Sequence, residues 1–317
     1  MRGTGNSAGL GLALVSAACF GTSGAFASSL LSAGWTAGAA VTVRVVVAAV
    51  VLTVPALLGL RGRVGQLRRS GGRVAAYGVF AVAGAQLCYF NAVQHVPVAV
   101  AMLLEYSGIL LVVAWMWARH GHRPGRLTGL GGLAALVGLV LVLDLLSSRG
   151  VDPVGVLWGL GAAVGLAVYF VVSSGTDDAL PPLVVAWGGL AVGALALLLA
   201  AATGLLPMAA PRTDVTLAST RMSWVVPVLG MSLLAAAVAY VVGILGARLL
   251  GAGVASFVGL TEVLFAVLFA WMLLGQTPRP PQLVGGLLVL AGIVLVRLDQ
   301  RQPEAAPVAQ PSMAAGR

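Results

Sequence analysis

Uncharged apolar runs of about 20 residues recur along the whole chain, and each is as long as the hydrocarbon core of a bilayer is thick. Of the 317 residues, 60% are hydrophobic and only 9% are charged, whereas an ordinary soluble domain has roughly 25% charged residues. A water-soluble fold cannot bury that many apolar side chains. The sequence therefore predicts an all-α membrane protein.

We predict ten transmembrane helices, of which the first is a retained span and not a cleaved signal peptide. Their approximate bounds are 9–31, 37–60, 74–95, 98–118, 127–146, 153–173, 182–204, 223–246, 251–274 and 281–298. Trp35 and Trp224 fall near span ends and are expected to anchor the protein at the membrane interface. The connection 205–222 lacks helical periodicity, and we expect it to be mobile.

The Arg residues predict the orientation. All 18 basic residues are Arg; thirteen lie on one side of the ten-span arrangement, four on the other, and Arg44 lies within span two. Because cytoplasmic loops are enriched in basic residues, we predict that both termini are cytoplasmic in a multi-pass protein of the cytoplasmic membrane. The Arg clusters contain no interleaved aromatic residues, so topology explains the positive charge better than a nucleic-acid partner does.

The two halves are diverged copies of one unit, because Glu105 in span four matches Glu262 in span nine. Glycines match as well: Gly132 with Gly286 and Gly138 with Gly292. Five spans per copy is an odd number, so the second copy is inverted, as in many secondary transporters. We assign the first five-helix repeat to 1–148, the second to 149–299, and a disordered cytoplasmic tail to 300–317.

Several short segments resemble the drug/metabolite transporter superfamily, in its ten-helix form built from two EamA-type repeats. They are CYFNA (88–92), VAVAMLLEY (98–106), GVAS (253–256), TE (261–262), LLGQ (273–276) and LVGG (283–286). The resemblance implies a basket of helices around a central substrate cavity, and export of amino acids, related metabolites or toxic compounds, often coupled to protons. The family often has Pro shortly after the first glutamate and directly after the second, where this chain has Ser107-Gly108-Ile109 and Val263.

Three charged side chains lie deep within the predicted spans: Arg44, Glu105 and Glu262. Such charges persist where they are paired or face water. Arg44 and Glu105 are both about 10 Å below the outer surface, so an ion pair is permitted; it either borders the cavity or statically joins helices two and four. Glu262 lies about 16 Å from the inner end of span nine, where it either binds a proton or ties helices together.

Polar and aromatic side chains are the other candidates for the cavity wall. They are Gln86, Tyr89, Phe90 and Asn91 in span three, Tyr106 in span four, Tyr169 in span six and Tyr240 in span eight. Helical spacing also places Ser16, Cys19, Ser23 and Phe26 on one face of span one. For these stripes, packing between helices is the alternative interpretation.

We predict a secondary active transporter that exports small metabolites by alternating access and is coupled to protons; the alternative is a channel-like or lipid-translocating protein. The sequence contains no nucleophile with a base and no metalloprotease motif, so we expect no enzyme activity. We expect no cofactor and no metal. The predicted partners are a small-molecule substrate, protons and membrane lipid, and the protein is a monomer or a homodimer.

Overall fold

The computed structural model describes residues 2–96, 98–120, 125–143, 152–175, 180–275 and 277–299. The predicted tail 300–317 and Gln276 lie outside them. The helices are Arg2–Gly21, Ser23–Ser32, Ala37–Leu60, Val64–Ala76, the π-helix Tyr77–Gly84, Ala85–His95, Val98–Tyr106, Gly108–His120, Arg126–Val142, Pro153–Ser173, Pro182–Ala202, Val225–Ser232, the π-helix Leu233–Val238, Ala239–Gly259, Thr261–Leu274 and Pro280–Asp299.

These helices form ten spans, which confirms the predicted fold class. Eight helical segments of the described chain are long and apolar enough to cross a membrane. Two shorter apolar helices complete the set: Arg126–Val142, which is span five, and Thr261–Leu274, which is the second part of span nine. Spans eight and nine are separated only at Gly251, whose φ of 77° interrupts the helix and is readily adopted by glycine.

Span three is longer than predicted, because a helix begins at Val64 and not near residue 74. This first part is amphipathic: Arg68, Arg69 and Arg73 are exposed, whereas Val74 is buried. An amphipathic basic helix of this kind suits the boundary between lipid and water. Its low hydropathy hid it from a search for apolar runs.

Irregularities occur at equivalent places in the two halves. Spans three and eight each contain a π-helical segment. Span four is interrupted at Ser107 and span nine at Leu260. Although Pro is absent here, a hydroxyl side chain bonds to a carbonyl three residues earlier at each break: Ser107 Oγ donates to Leu104 O at 2.5 Å, and Thr261 Oγ1 donates to Val258 O at 2.7 Å. Such bonds often bend helices.

The connection predicted to be mobile is instead an ordered cap, and that prediction was wrong. It contains an antiparallel hairpin of Val215–Leu217 and Thr220–Met222. At the hairpin turn, Ala218 N donates to Leu273 O of span nine at 2.9 Å. Upstream of the hairpin, Thr36 Oγ1 donates to Pro207 O at 2.7 Å. We call this face of the bundle the hairpin end.

Trp35 belongs to the same cap and is not the interface anchor predicted from its position. Its side chain is only 5% exposed, and its indole N–H donates to Pro211 O at 2.8 Å. Its ring lies 5.8 Å from that of Trp224. The opposite face of the bundle carries the exposed arginines of 61–73, and we call it the arginine end.

Spans five and ten pack against each other through reciprocal glycine contacts. A Cβ atom added at Gly138 would lie 2.6 Å from Gly285 O, and one at Gly285 would lie 2.5 Å from Gly138 O. The same relation holds seven residues away along each helix. A Cβ atom added at Gly131 would lie 2.6 Å from Gly292 O, and one at Gly292 would lie 2.5 Å from Gly131 O. Thr128 Oγ1 donates to Asp299 Oδ2 at 2.6 Å at one end of the contact. The equivalent helices of the two repeats therefore meet backbone to backbone.

Replacing Gly138 with Ala is expected to lower the apparent melting temperature, because the new methyl group would force the two backbones apart. Overpacking costs about 1–3 kcal/mol, and each kcal/mol corresponds to roughly 2–4 °C in a protein of 150–250 residues. The matched control is Gly129→Ala in the same helix, where no atom lies within 4 Å of the added Cβ. Equal melting temperatures for the two variants in detergent would contradict the proposed tight contact.

Candidate functional site

A cavity of about 800 Å³ lies inside the bundle. Its walls come from spans one to four of the first repeat and from spans six, eight and nine of the second. Along span one the lining extends from Ala13 to Ser32, a distance of about 28 Å at the helical rise per residue. Leu31 and Ser32 are exposed, so the cavity opens at the hairpin end.

A cluster of five aromatic rings lies on the side of the cavity nearer the arginine end. Tyr169 is at its centre, with ring centroids 4.9 Å from Phe170, 5.8 Å from Tyr240 and 6.0 Å from Tyr77. Phe20 packs on Tyr240 at 5.1 Å. Tyr77 is fully buried. We call these five residues the aromatic plug, because they fill the space between spans one, three, six and eight.

Arg44 borders the cavity but does not form the ion pair with Glu105 that their equal depth permits. Its guanidinium instead donates to Ser23 Oγ at 3.1 Å and to Ala235 O at 2.5 Å, and its centre lies 5.9 Å from the Phe20 ring. Ala235 belongs to the π-helix of span eight, where wider winding disturbs the regular hydrogen bonds. Arg44 thus joins span two to spans one and eight.

Glu105 and Glu262 face the same cavity from equivalent positions of the two repeats. Each is close enough to Arg44 for their charges to interact, although neither touches it. The Tyr106 hydroxyl lies beside the Glu262 carboxyl group. In the described chain, the charged side chains of the cavity wall are Arg44, Glu105 and Glu262. A site with two acids and one base therefore carries an excess of negative charge when both acids are ionised.

Nine of the ten charged, polar and aromatic residues predicted for the cavity wall line this cavity. They are Arg44, Gln86, Tyr89, Phe90, Glu105, Tyr106, Tyr169, Tyr240 and Glu262. Asn91 is not among the lining residues, and its amide donates to Leu87 O of its own helix at 2.7 Å. The structure shows where the lining candidates lie, whereas their part in substrate handling stays a prediction.

Some residues that line the cavity were not among the predicted ones, because they are apolar or small. Phe20 and Gly24 line the cavity on span one, together with the expected Ser16 and Ser23. Cys19 and Phe26, from the same predicted stripe, do not. Phe20 lies four residues after Ser16 and three before Ser23, so helical spacing alone could have placed it on this face.

The architecture and the cavity agree with a comparison of the sequence with known families. The family model described as the EamA-like transporter family matches the chain twice, over residues 7–144 and 153–298. The chain belongs to the EamA-like transporter family. It is thus a multi-pass membrane transporter of a small-molecule substrate, built from two inverted repeats.

Solved structures share the EamA-like fold of this chain. One of them, titled only "Crystal structure of protein", aligns with a TM-score of 0.72 at 21% sequence identity, over 93% of this chain and 99% of the other. At that identity the similarity supports the fold alone. A sequence search of curated proteins gives no match.

Proposed function

We propose that this EamA-like protein is a secondary active carrier that exports small metabolites by exposing its central cavity alternately to the two sides of the membrane. The observation that carries the proposal is a cavity built by both repeats, open at the hairpin end and bounded by the aromatic plug toward the arginine end. A carrier must keep at least one of its two gates closed at all times, so that no continuous path crosses the membrane. Amino acids and related or toxic compounds are the proposed cargo class.

We further propose that the arginine end is cytoplasmic, that the membrane is the cytoplasmic membrane and that protons drive transport. The exposed arginines of 61–73 support the orientation, since basic residues favour the cytoplasmic side. Glu105 and Glu262 support proton coupling, because a carboxyl group that faces a cavity inside the membrane can take up and release a proton. The protein has no enzymatic role in this proposal.

A channel is the rival function, and the aromatic plug argues against it. A pore needs a continuous polar path, whereas aromatic rings from spans one, three, six and eight pack together toward the arginine end. Counterflow in proteoliposomes separates the two. With a panel of labelled amino acids and amines, a carrier accelerates uptake when unlabelled substrate is inside, and a pore does not. No counterflow with any compound would contradict the carrier proposal.

Replacing Gly24 with Phe is expected to reduce counterflow by about tenfold or more, because the ring would occupy the cavity. Gly24 lines the cavity, and no atom lies within 4 Å of an added Cβ, so the helix itself has room for the change. The control is Gly11→Phe, also in span one. No atom lies within 4 Å of a Cβ added at Gly11, and Gly11 does not line the cavity. If both variants transport equally well, the cavity is not the substrate route.

A further inference from the structure

The charges of the cavity do not balance, and their arrangement bears on what can bind there. The wall provides two carboxyl groups, Glu105 and Glu262, and one guanidinium, Arg44. A buried charge is stable only when it is paired or hydrogen-bonded. The two carboxyl groups make no ion pair with any described residue at contact distance, so at least one of them needs a positive charge from the occupant or a proton.

Arg44 is poorly placed to receive a carboxylate from a ligand. Both terminal nitrogens of its guanidinium already donate, one to Ser23 and the other to Ala235. Its side chain is only 8% exposed, and its centre lies 5.9 Å from the Phe20 ring. Its Nε–H is buried without a partner in the described chain, but a ligand carboxylate that reached the remaining N–H groups would also approach two acidic side chains. The site therefore disfavours an anionic group.

The aromatic walls suit a positively charged group with an apolar body. Tyr89 is close enough to interact with both Glu105 and Glu262, and its ring packs on Phe90 with centroids 5.8 Å apart. Both rings line the cavity. Aromatic faces attract ammonium groups, and the attraction strengthens when water is excluded. Carboxyl groups and aromatic rings therefore occur together on the wall shared by spans three, four and nine.

We propose that the substrate is an aromatic or otherwise apolar amine that carries a positive charge and no carboxylate, with its ammonium group held by Glu105 and Glu262. This inference rests on the proposed carrier function and narrows its substrate class. It separates amines from amino acids, which would bring a carboxylate into an acidic site. It also makes a proton and the substrate competitors for the same two carboxyl groups.

Three compounds that share one phenyl ring test the charge directly. They are 2-phenylethylamine, which is a cation, phenylalanine, which is a zwitterion, and 3-phenylpropionate, which is an anion. Binding to the purified full-length protein in detergent is measured by the thermal shift over a concentration series. We expect 2-phenylethylamine to stabilise the protein at concentrations at least about tenfold lower than phenylalanine, and 3-phenylpropionate to have no effect.

The amine should also lose affinity in Glu105→Gln, by about tenfold, because half of the counter-charge is gone. Gly11→Phe, which does not touch the cavity, should bind it as the wild type does. Tighter binding of phenylalanine or of 3-phenylpropionate, or no binding of the amine, would overturn the inference without using any variant. Counterflow with the wider panel tests the carrier function separately, since transport of a zwitterion alone would keep the carrier and refute the amine.

Discussion

Replacing Glu262 with Gln is expected to reduce pH-gradient-driven transport to the level of liposomes without protein. The amide has the shape of the carboxyl group but cannot take up or release a proton at physiological pH. Glu262 faces the cavity beside Tyr106, with Glu105 and Arg44 close enough to interact with it. The measurement is uptake of labelled substrate into proteoliposomes with an imposed pH gradient, compared with uptake without one.

The same variant should keep its fold, because glutamine retains hydrogen-bonding capacity toward Tyr106. Its melting temperature in detergent is expected to stay close to that of the wild type. Asp214→Asn is the matched control, since this carboxyl group lies in the exposed connection of the hairpin end, with 55% of its side chain accessible. An unchanged response to the pH gradient in Glu262→Gln would remove Glu262 from proton coupling.

Replacing Arg44 with Met is expected to destabilise the protein by about 2 kcal/mol, because a carbonyl of the π-helix would lose its donor. Methionine fills much of the same volume, but it cannot donate to Ala235 O or Ser23 Oγ. A loss of this size corresponds to a fall of roughly 4–8 °C in apparent melting temperature. The effect should be seen without substrate, since Arg44 holds spans one, two and eight together.

Arg61→Met is the control for the Arg44 experiment, because Arg61 is an exposed guanidinium beyond the end of span two. Arg44→Lys adds a second comparison: it keeps the charge but replaces two separately placed terminal nitrogens with one ammonium group. We expect it to fall between wild type and Arg44→Met. Melting temperatures that are the same for Arg44→Met and Arg61→Met would show that the bonds to Ser23 and Ala235 contribute little.

The sequence predicted much of the cavity, because polar groups within apolar spans face the interior of the bundle or a water-filled cavity. Glu105, Glu262 and Gln86 are expensive to expose to lipid, so their presence within apolar spans already indicates a polar interior. The structure places all three on one cavity. Asn91 shows the limit of that argument, since its amide bonds to a carbonyl of its own helix. Phe20 shows the opposite error, because an apolar side chain gives no such signal.

The partner of Arg44 could not be found from the sequence. Depth along two helices suggested Glu105, but depth says nothing about which faces meet. The actual acceptor, Ala235 O, is 191 residues away. It lies within a π-helical segment that no residue pattern predicted. The hairpin was missed for a similar reason: its strands have three residues each, and the bond from Thr36 to Pro207, upstream of it, joins segments 171 residues apart.

The hairpin has no counterpart in the first repeat, where 61–63 joins spans two and three directly. Two identical inverted halves would relate the outward and inward states by a two-fold rotation, so the two states would have equal energy. A cap that bonds to Thr36, Trp35 and Leu273 on one face only removes that equality. In the proposed carrier, this cap on one copy is therefore expected to bias the resting population, and shortening it is expected to shift the balance between the two states without altering the cavity.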